Sequence, residues 1–316
     1  RRQISNLCLI DRREYLMKKN KVDSLRHREI RTGYLMIAPL MSGVIVFFIW
    51  AFFQNVYYSF TNKSSFGIPK FVGLENYVKL FHDEAFYQAF INTILYVVIC
   101  VPAVVILAIL LAVLLNSKVK GIGFFRVCIF LPAVTLPAAI GLLWKWLMNY
   151  KFGIFNEILG KFGVNPIAWL SDPRIVLFSI SIVFIWASVA YQVIVLLAGL
   201  QGIPVCYKEA AEIDGANGIQ RFFKITLPLL SPSIFFVCVT TVINVFQIFD
   251  FIYLMIPQGS SGTAASRSLV TYFFEQSFVK FHKGYGAAIS LVLFFLILVI
   301  TAIQMICQKK LVFYDD

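Results

Sequence analysis

Charge is scarce in this chain. Asp, Glu, Lys and Arg make up 14% of its 316 residues, where a soluble domain carries about a quarter. At 59% hydrophobic, the chain exceeds what one water-soluble core absorbs, so the bilayer must be the solvent for much of it. A phosphate-cradling loop of the G-x-x-x-x-G-K-[ST] type is missing, which excludes P-loop binding of ATP by this chain. The six cysteines (Cys8, Cys100, Cys128, Cys206, Cys238, Cys307) show no C-x-x-C spacing. They read as small hydrophobes, neither a disulfide framework nor a metal site. His27, His82 and His282 are scattered without paired ligands, so no bound metal is expected. No His/Asp/Glu constellation lies in or beside the apolar runs, which argues against an enzyme. Tandem repeats, low-complexity tracts and a separate soluble domain are also lacking.

What is present is a series of long apolar runs. About 20 apolar residues cross a hydrocarbon core of about 30 Å as a helix. Six stretches qualify: Tyr34–Tyr58, Asn92–Leu115, Val127–Met148, Ile175–Leu197, Leu229–Met255 and Ala287–Cys307. The third holds Pro132 and Pro137 and is expected to be kinked. The first is too long for a signal-peptide core and lacks a small-residue cleavage site, so it is read as a span. The expectation is an all-α integral membrane protein of six transmembrane helices. It divides into a basic segment 1–33, a membrane domain 34–308 and a short tail 309–316.

The net charge of +12 would suggest nucleic acid in a soluble protein, but its distribution points to a membrane. Residues 1–33 carry ten Lys/Arg against four acids. With the N-terminus inside, inside segments hold 18 Lys/Arg and outside loops hold nine. The positive-inside rule then places both termini in the cytoplasm. The tail decides this; without it the count is eight against nine. Lys145 is expected to snorkel to the outer interface, and the tail to face anionic lipid.

The loop between the fourth and fifth spans is not a plain linker. Pro204 can open a helix, and Gly215 can end it in the left-handed conformation. Between them runs a helix of about three turns rich in Ala, Glu and Lys. Asn217 is a candidate N-cap for a second segment, in which Ile219, Phe222, Phe223 and Thr226 share one face. The plainer reading is a membrane-surface re-entry that joins two spans.

Glu209-Ala210-Ala211, then Gly215, then Ile225-Thr226-Leu227-Pro228 resemble the EAA motif of binding-protein-dependent ABC importer permeases, element for element in spacing. Leu131-Pro132, Trp186, Phe246-Gln247-Ile248-Phe249-Asp250 and Val72-Gly73-Leu74-Glu75-Asn76-Tyr77 extend the resemblance to the carbohydrate branch, the MalF/UgpA-like permeases. It departs at Ile256–Gly262, where that branch often has Gly-Gly-Pro. The resemblance implies a type I importer permease (MetI/MalF-like) fold with a cytoplasmic coupling helix between the fourth and fifth helices, inside loop 202–228. Lys208, Glu209, Ala210, Ala211, Glu212, Asp214 and Gly215 would receive motion from the ATPases. It also implies a second permease subunit, two ABC ATPase subunits that bind ATP and Mg, an extracytoplasmic solute-binding protein, and a bacterial or archaeal plasma membrane.

Polar groups inside spans are costly and usually face protein or water. The fourth span offers Ser188, Tyr191 and Gln192; the fifth offers Thr241, Asn244 and Gln247, spaced by three and so on one face. With Trp186 they supply the ring faces, hydroxyls and amides a sugar needs. Their alternative role is helix–helix hydrogen bonding. Di- or oligosaccharides fit best. Two competing functions remain: an ion-driven secondary transporter, which wants ionisable relays or inverted repeats, and a glycerol phosphate permease, which wants basic residues in the path.

Overall fold

The computed structural model describes residues 29–64, 68–117, 121–257 and 259–312. The basic tail to residue 28, Lys118, Lys120, Gln258 and residues 313–316 lie outside the described residues, as do the side chains of Lys208 and Leu311. The orientation expected from the tail charges therefore rests on sequence. The chain forms two compact units, Arg1–Tyr57 and Tyr58–Asp316. In the first, helix α1 (Glu29–Ser59) begins. It carries exposed Phe47, Phe48 and Phe53, as suits a helix solvated by lipid.

The second unit continues with α2 (Glu75–Leu80), α3 (Glu84–Leu115), α4 (Ile122–Val134), α5 (Pro137–Leu147), α6 (Ile154–Lys161), α7 (Val176–Gly202) and α8 (Val205–Ile213). Then come α9 (Gly218–Phe246), α10 (Asp250–Met255), α11 (Gly262–Ser266), α12 (Leu269–Phe274) and α13 (Lys283–Leu311). Among the described residues, β-type pairing is limited to the bridge Thr61–Phe71. Five helices are long and apolar enough to cross a membrane, and α4 with α5 forms one further bent pair.

α3, α7 and α9 pack as the centre of this unit. Ala108, Ala112 and Leu115 of α3 meet Val193, Leu196 and Leu200 of α7 and Leu230 and Val237 of α9. Lipid tails are as apolar as leucine, so close van der Waals fit drives such packing, and small residues permit it. Gly199 is required at the α7–α9 crossing: a Cβ there would collide with the Ser233 hydroxyl.

α3 has 32 residues, which at 1.5 Å per residue is about 48 Å, well beyond the hydrocarbon core. Its N-terminal turns hold a polar cap. Asp83 caps α3 by accepting the Ala85 N–H at 2.9 Å, and its other oxygen accepts the hydroxyls of Tyr272 and Tyr285. Burial pushes this carboxyl up, but those phenols and the Ala85 and Phe86 N–H groups outweigh it and hold its pKa below the ordinary value. Asn92 donates to the carbonyls of Ala264 and Arg267, both at 3.0 Å, and the Thr93 hydroxyl accepts the Leu269 N–H at 3.0 Å.

Three spans differ from the sequence expectation. The second starts at Glu84, not Asn92, because its polar residues bind the polar cap. The third is not kinked but broken: α4 and α5 meet at 104°. Pro137 pushes Leu136 into an extended conformation (φ −60°, ψ 134°) and starts a new helix. The fifth ends at Phe246 rather than Met255. No proline or glycine marks this break; Ser268 holds it by donating to the Ile248 carbonyl at 2.8 Å. Lys145 gains a partner that the sequence did not name: its ammonium donates to the Leu254 carbonyl at 3.0 Å, at the C-terminal end of α10. The negative end of a helix dipole takes the charge there.

Candidate functional site: a capped loop and a polar groove

α8 ends in a Schellman turn. Gly215 lies at φ +77°, its N–H donates to the Glu212 carbonyl at 3.1 Å, and the Ala216 N–H reaches the Ala211 carbonyl at 2.9 Å. A Cβ in that conformation costs about 1–2 kcal/mol, which is why glycine stands there. Asn217 then forms a capping box with Gln220, the two side chains accepting each other's backbone N–H at 2.9 and 3.0 Å. Glu212 pairs with Arg221 across the turn. The loop thus closes its own helix ends and ties α8 to α9.

Ala211 is buried, whereas Glu209, Ala210, Glu212, Asp214 and Gly215 are exposed. Ile213 is 87% exposed, a large apolar side chain offered outward at a helix end. The expected single face of Ile219, Phe222, Phe223 and Thr226 divides in two. Ile219 and Phe223 are exposed, while Phe222 and Thr226 line a cavity of about 250 Å³ with Asn116, Glu212 and Arg221. Spacing of four within each pair explains the division, and a π-helical turn over Phe222–Thr226 widens it.

The second feature is a groove of about 530 Å³ at the α4–α5 break. Pro132 to Pro137 form one wall, and Ser188, Tyr191 and Gln192 of α7 form another. Asn244 of α9 and Asp250 of α10 complete it. Pro137 lacks an N–H, so the Ala133 carbonyl has no helical donor; the Tyr191 hydroxyl donates to it at 2.9 Å. Gln192 is 5% exposed and lines the groove. A buried amide in a groove wall has both a donor and an acceptor to offer a hydroxyl.

Four of the seven expected pathway residues therefore meet: Ser188, Tyr191, Gln192 and Asn244. Three do not line the groove. Thr241 is buried and its hydroxyl donates to the Val237 carbonyl of its own helix at 2.6 Å. It lies 120° from Gln247 around an ideal helix, which is why the expected common face fails. Gln247 is exposed at the C-cap of α9. Trp186 packs edge-on against Trp144 at 5.7 Å, in a cluster continued by Phe155 and Trp169. Sequence reasoning missed the wall at Ala133–Pro137. The signal was the pair Pro132 and Pro137, read as a kink instead of a break. Among the described residues no group of three metal-ligating side chains occurs.

Fold and site together define a multi-pass membrane protein with a self-capped surface loop and a polar intramembrane groove. Residues 71–312 match the family described as the binding-protein-dependent transport system inner membrane component. The permease MalF of the trehalose/maltose transport system of Thermococcus litoralis is 34% identical over 291 residues, 92% of this chain and 97% of that one. The sn-glycerol-3-phosphate permease UgpA of Agrobacterium fabrum is 33% identical over 285 residues, 89% and 96% of the two chains. A chain from the crystal structure of a bacterial alginate ABC transporter, in complex with an alginate pentasaccharide-bound periplasmic protein, superposes with a TM-score of 0.79. It has 21% identity and covers 90% of this chain and 96% of that one, a likeness of fold. The chain belongs to the family of binding-protein-dependent transport system inner membrane components, as a permease subunit of an ABC importer.

Proposed function

We propose that this chain forms half of the translocation pathway for a neutral di- or oligosaccharide and takes its motion from ATPase subunits through loop 202–228. The observation that carries the coupling role is the loop itself. A short helix opened by Pro204, closed by the Gly215 turn and tied to the capped start of α9 moves as a body, and Glu209, Ala210 and Asp214 are exposed for a partner surface. The partners are a second permease subunit, two ATPase subunits that bind ATP and Mg, and an extracytoplasmic solute-binding protein. The membrane is a bacterial or archaeal plasma membrane with both termini of the chain cytoplasmic. Residues 34–308 act as the permease domain between the basic segment 1–33 and the tail 309–316.

The sugar reading is supported by the named cargo of the Thermococcus relative and by the groove lining. That lining offers hydroxyls and amides, and Asp250 is its charged residue. A phosphate ester wants a cation in the path, so the cargo of the UgpA relative fits this groove poorly. Copurification tests the assembly: a permease partner and ATPases should come down with the chain, and uptake should stop with vanadate. Vanadate-insensitive, ion-driven uptake by the lone chain would refute the reading.

A further inference from the structure

A second polar cavity, of about 420 Å³, lies on the other side of α10 from the groove. Phe251 of that short helix faces the groove, and Ile252, Tyr253 and Ile256 face the cavity. The opposite walls are α11, α12 and the π-helical turn Glu275–Val279. Its chemistry is mixed in a specific way. The Arg267 side chain is 17% exposed and meets Glu275 at 3.2 Å, while Lys280 holds the other oxygen of that carboxylate at 2.8 Å. Among the described residues Glu275 is the one ion-pair partner of Arg267, whose guanidinium lies over the Tyr272 ring at 5.4 Å and has further N–H donors along its edge. Tyr253 and Phe274 supply an aromatic corner, with centroids 5.0 Å apart. Ser260 and Thr263 add hydroxyls at the rim.

The walls are fixed before any ligand arrives. Asn92 and Tyr96 of α3 bind the carbonyls of Ala264, Arg267 and Ser266. Arg267 and Glu275 are the two charged residues of the lining and largely cancel each other there, while Lys280, the second cation on Glu275, lies outside the lining and is half-exposed to solvent. An anion would meet the Glu275 carboxylate, and a cation would meet Arg267. What fits is a neutral molecule with hydroxyls for the charged pair and a C–H face for the rings. We infer that this cavity is a second saccharide-binding site, which takes one neutral glycosyl unit of a longer sugar while α10 separates it from the groove. The choice of ligand rests on the sugar-import reading above.

The test uses the assembled transporter in nanodiscs and saturation-transfer NMR, with maltotriose, trehalose and raffinose as neutral probes and glycerol 3-phosphate as the charged one. At least one neutral probe should receive saturation in the wild type and in the groove variant Q192A/N244A. In the Q192A/N244A background its signal should fall at least threefold when Tyr253→Ala or Arg267→Gln is added, and Tyr253→Phe, which keeps the ring, should retain most of it. The proposal is overturned if no neutral probe receives saturation. It is also overturned if the cavity variants leave the signal unchanged, if the groove variant abolishes it, or if glycerol 3-phosphate displaces the sugar. Uptake separates the two readings. Carriage of glycerol 3-phosphate but of no saccharide would sink the sugar reading, whereas saccharide uptake with an unaltered signal in Tyr253→Ala would sink the second site alone.

Discussion

The loop of residues 202–228 and the groove at the α4–α5 break differ in how their parts are gathered. The loop is continuous: its helix, glycine turn and capping box lie within 27 residues, and each contact that shapes it spans fewer than ten positions. The groove draws on five helices, from Pro132 to Phe251, and its form depends on two interrupted spans. A local device can be carried by a spaced motif. A groove made of distant segments tolerates different residue types while keeping its shape, as a pathway that must suit one cargo requires.

Variants that strike one region and spare the other would sharpen that difference. The largest effect is expected from Glu209→Lys or Gly215→Pro: uptake in vesicles should fall more than tenfold while ATP hydrolysis by the assembled complex continues. Full uptake by both would remove the loop from coupling. Next, Gln192→Leu should raise the apparent KM for uptake about two- to tenfold, the range expected when one hydrogen bond is lost, with ATP hydrolysed per sugar unchanged. Thr241→Val, by contrast, should leave uptake kinetics within about twofold, since the Thr241 hydroxyl bonds its own helix. A KM shift as large as that of Gln192→Leu would restore it to the pathway.

Smaller effects concern support. Arg221→Ala breaks the pair with Glu212, which is half-buried at Arg221 and exposed at Glu212 and worth about 0.2–1 kcal/mol. Coupling should drop less than about threefold, and Glu212→Arg with Arg221→Glu should restore it. The polar cap at the start of α3 adds a pH dependence. Asp83 is held below its ordinary pKa of 3.8, so its contribution is complete above that value and is lost as pH falls through the lower folded pKa. Thermal unfolding followed from pH 6 to pH 3 should show a steeper acid loss in the wild type than in Asp83→Asn; equal slopes would remove Asp83 from the cap.

Much of this was legible from residues alone. Apolar runs gave the helices, and Pro204, Gly215 and Asn217 marked helix ends in the loop because capping is local chemistry. The breaks were harder to read. Pro137 announced one, yet the sequence pattern did not separate a kink from a 104° turn. The end of α9 at Phe246 has no local signal, since the Ser268 hydroxyl that holds it is 20 residues away. Trp186 falls outside the groove for a related reason: polar-face spacing says where a ring points on its own helix, but not that it would meet Trp144 edge-on.

The account stands or falls on the claim that coupling and selectivity occupy separate regions. The direct measurement is ATP hydrolysed per sugar imported, taken together with the KM for uptake, in reconstituted complexes carrying either Glu209→Lys or Q192A/N244A. The loop variant should raise the ratio severalfold at an unchanged KM in its residual uptake, and the groove variant should raise KM at an unchanged ratio. If either variant moves both quantities together, the two regions are not separate and the account is wrong.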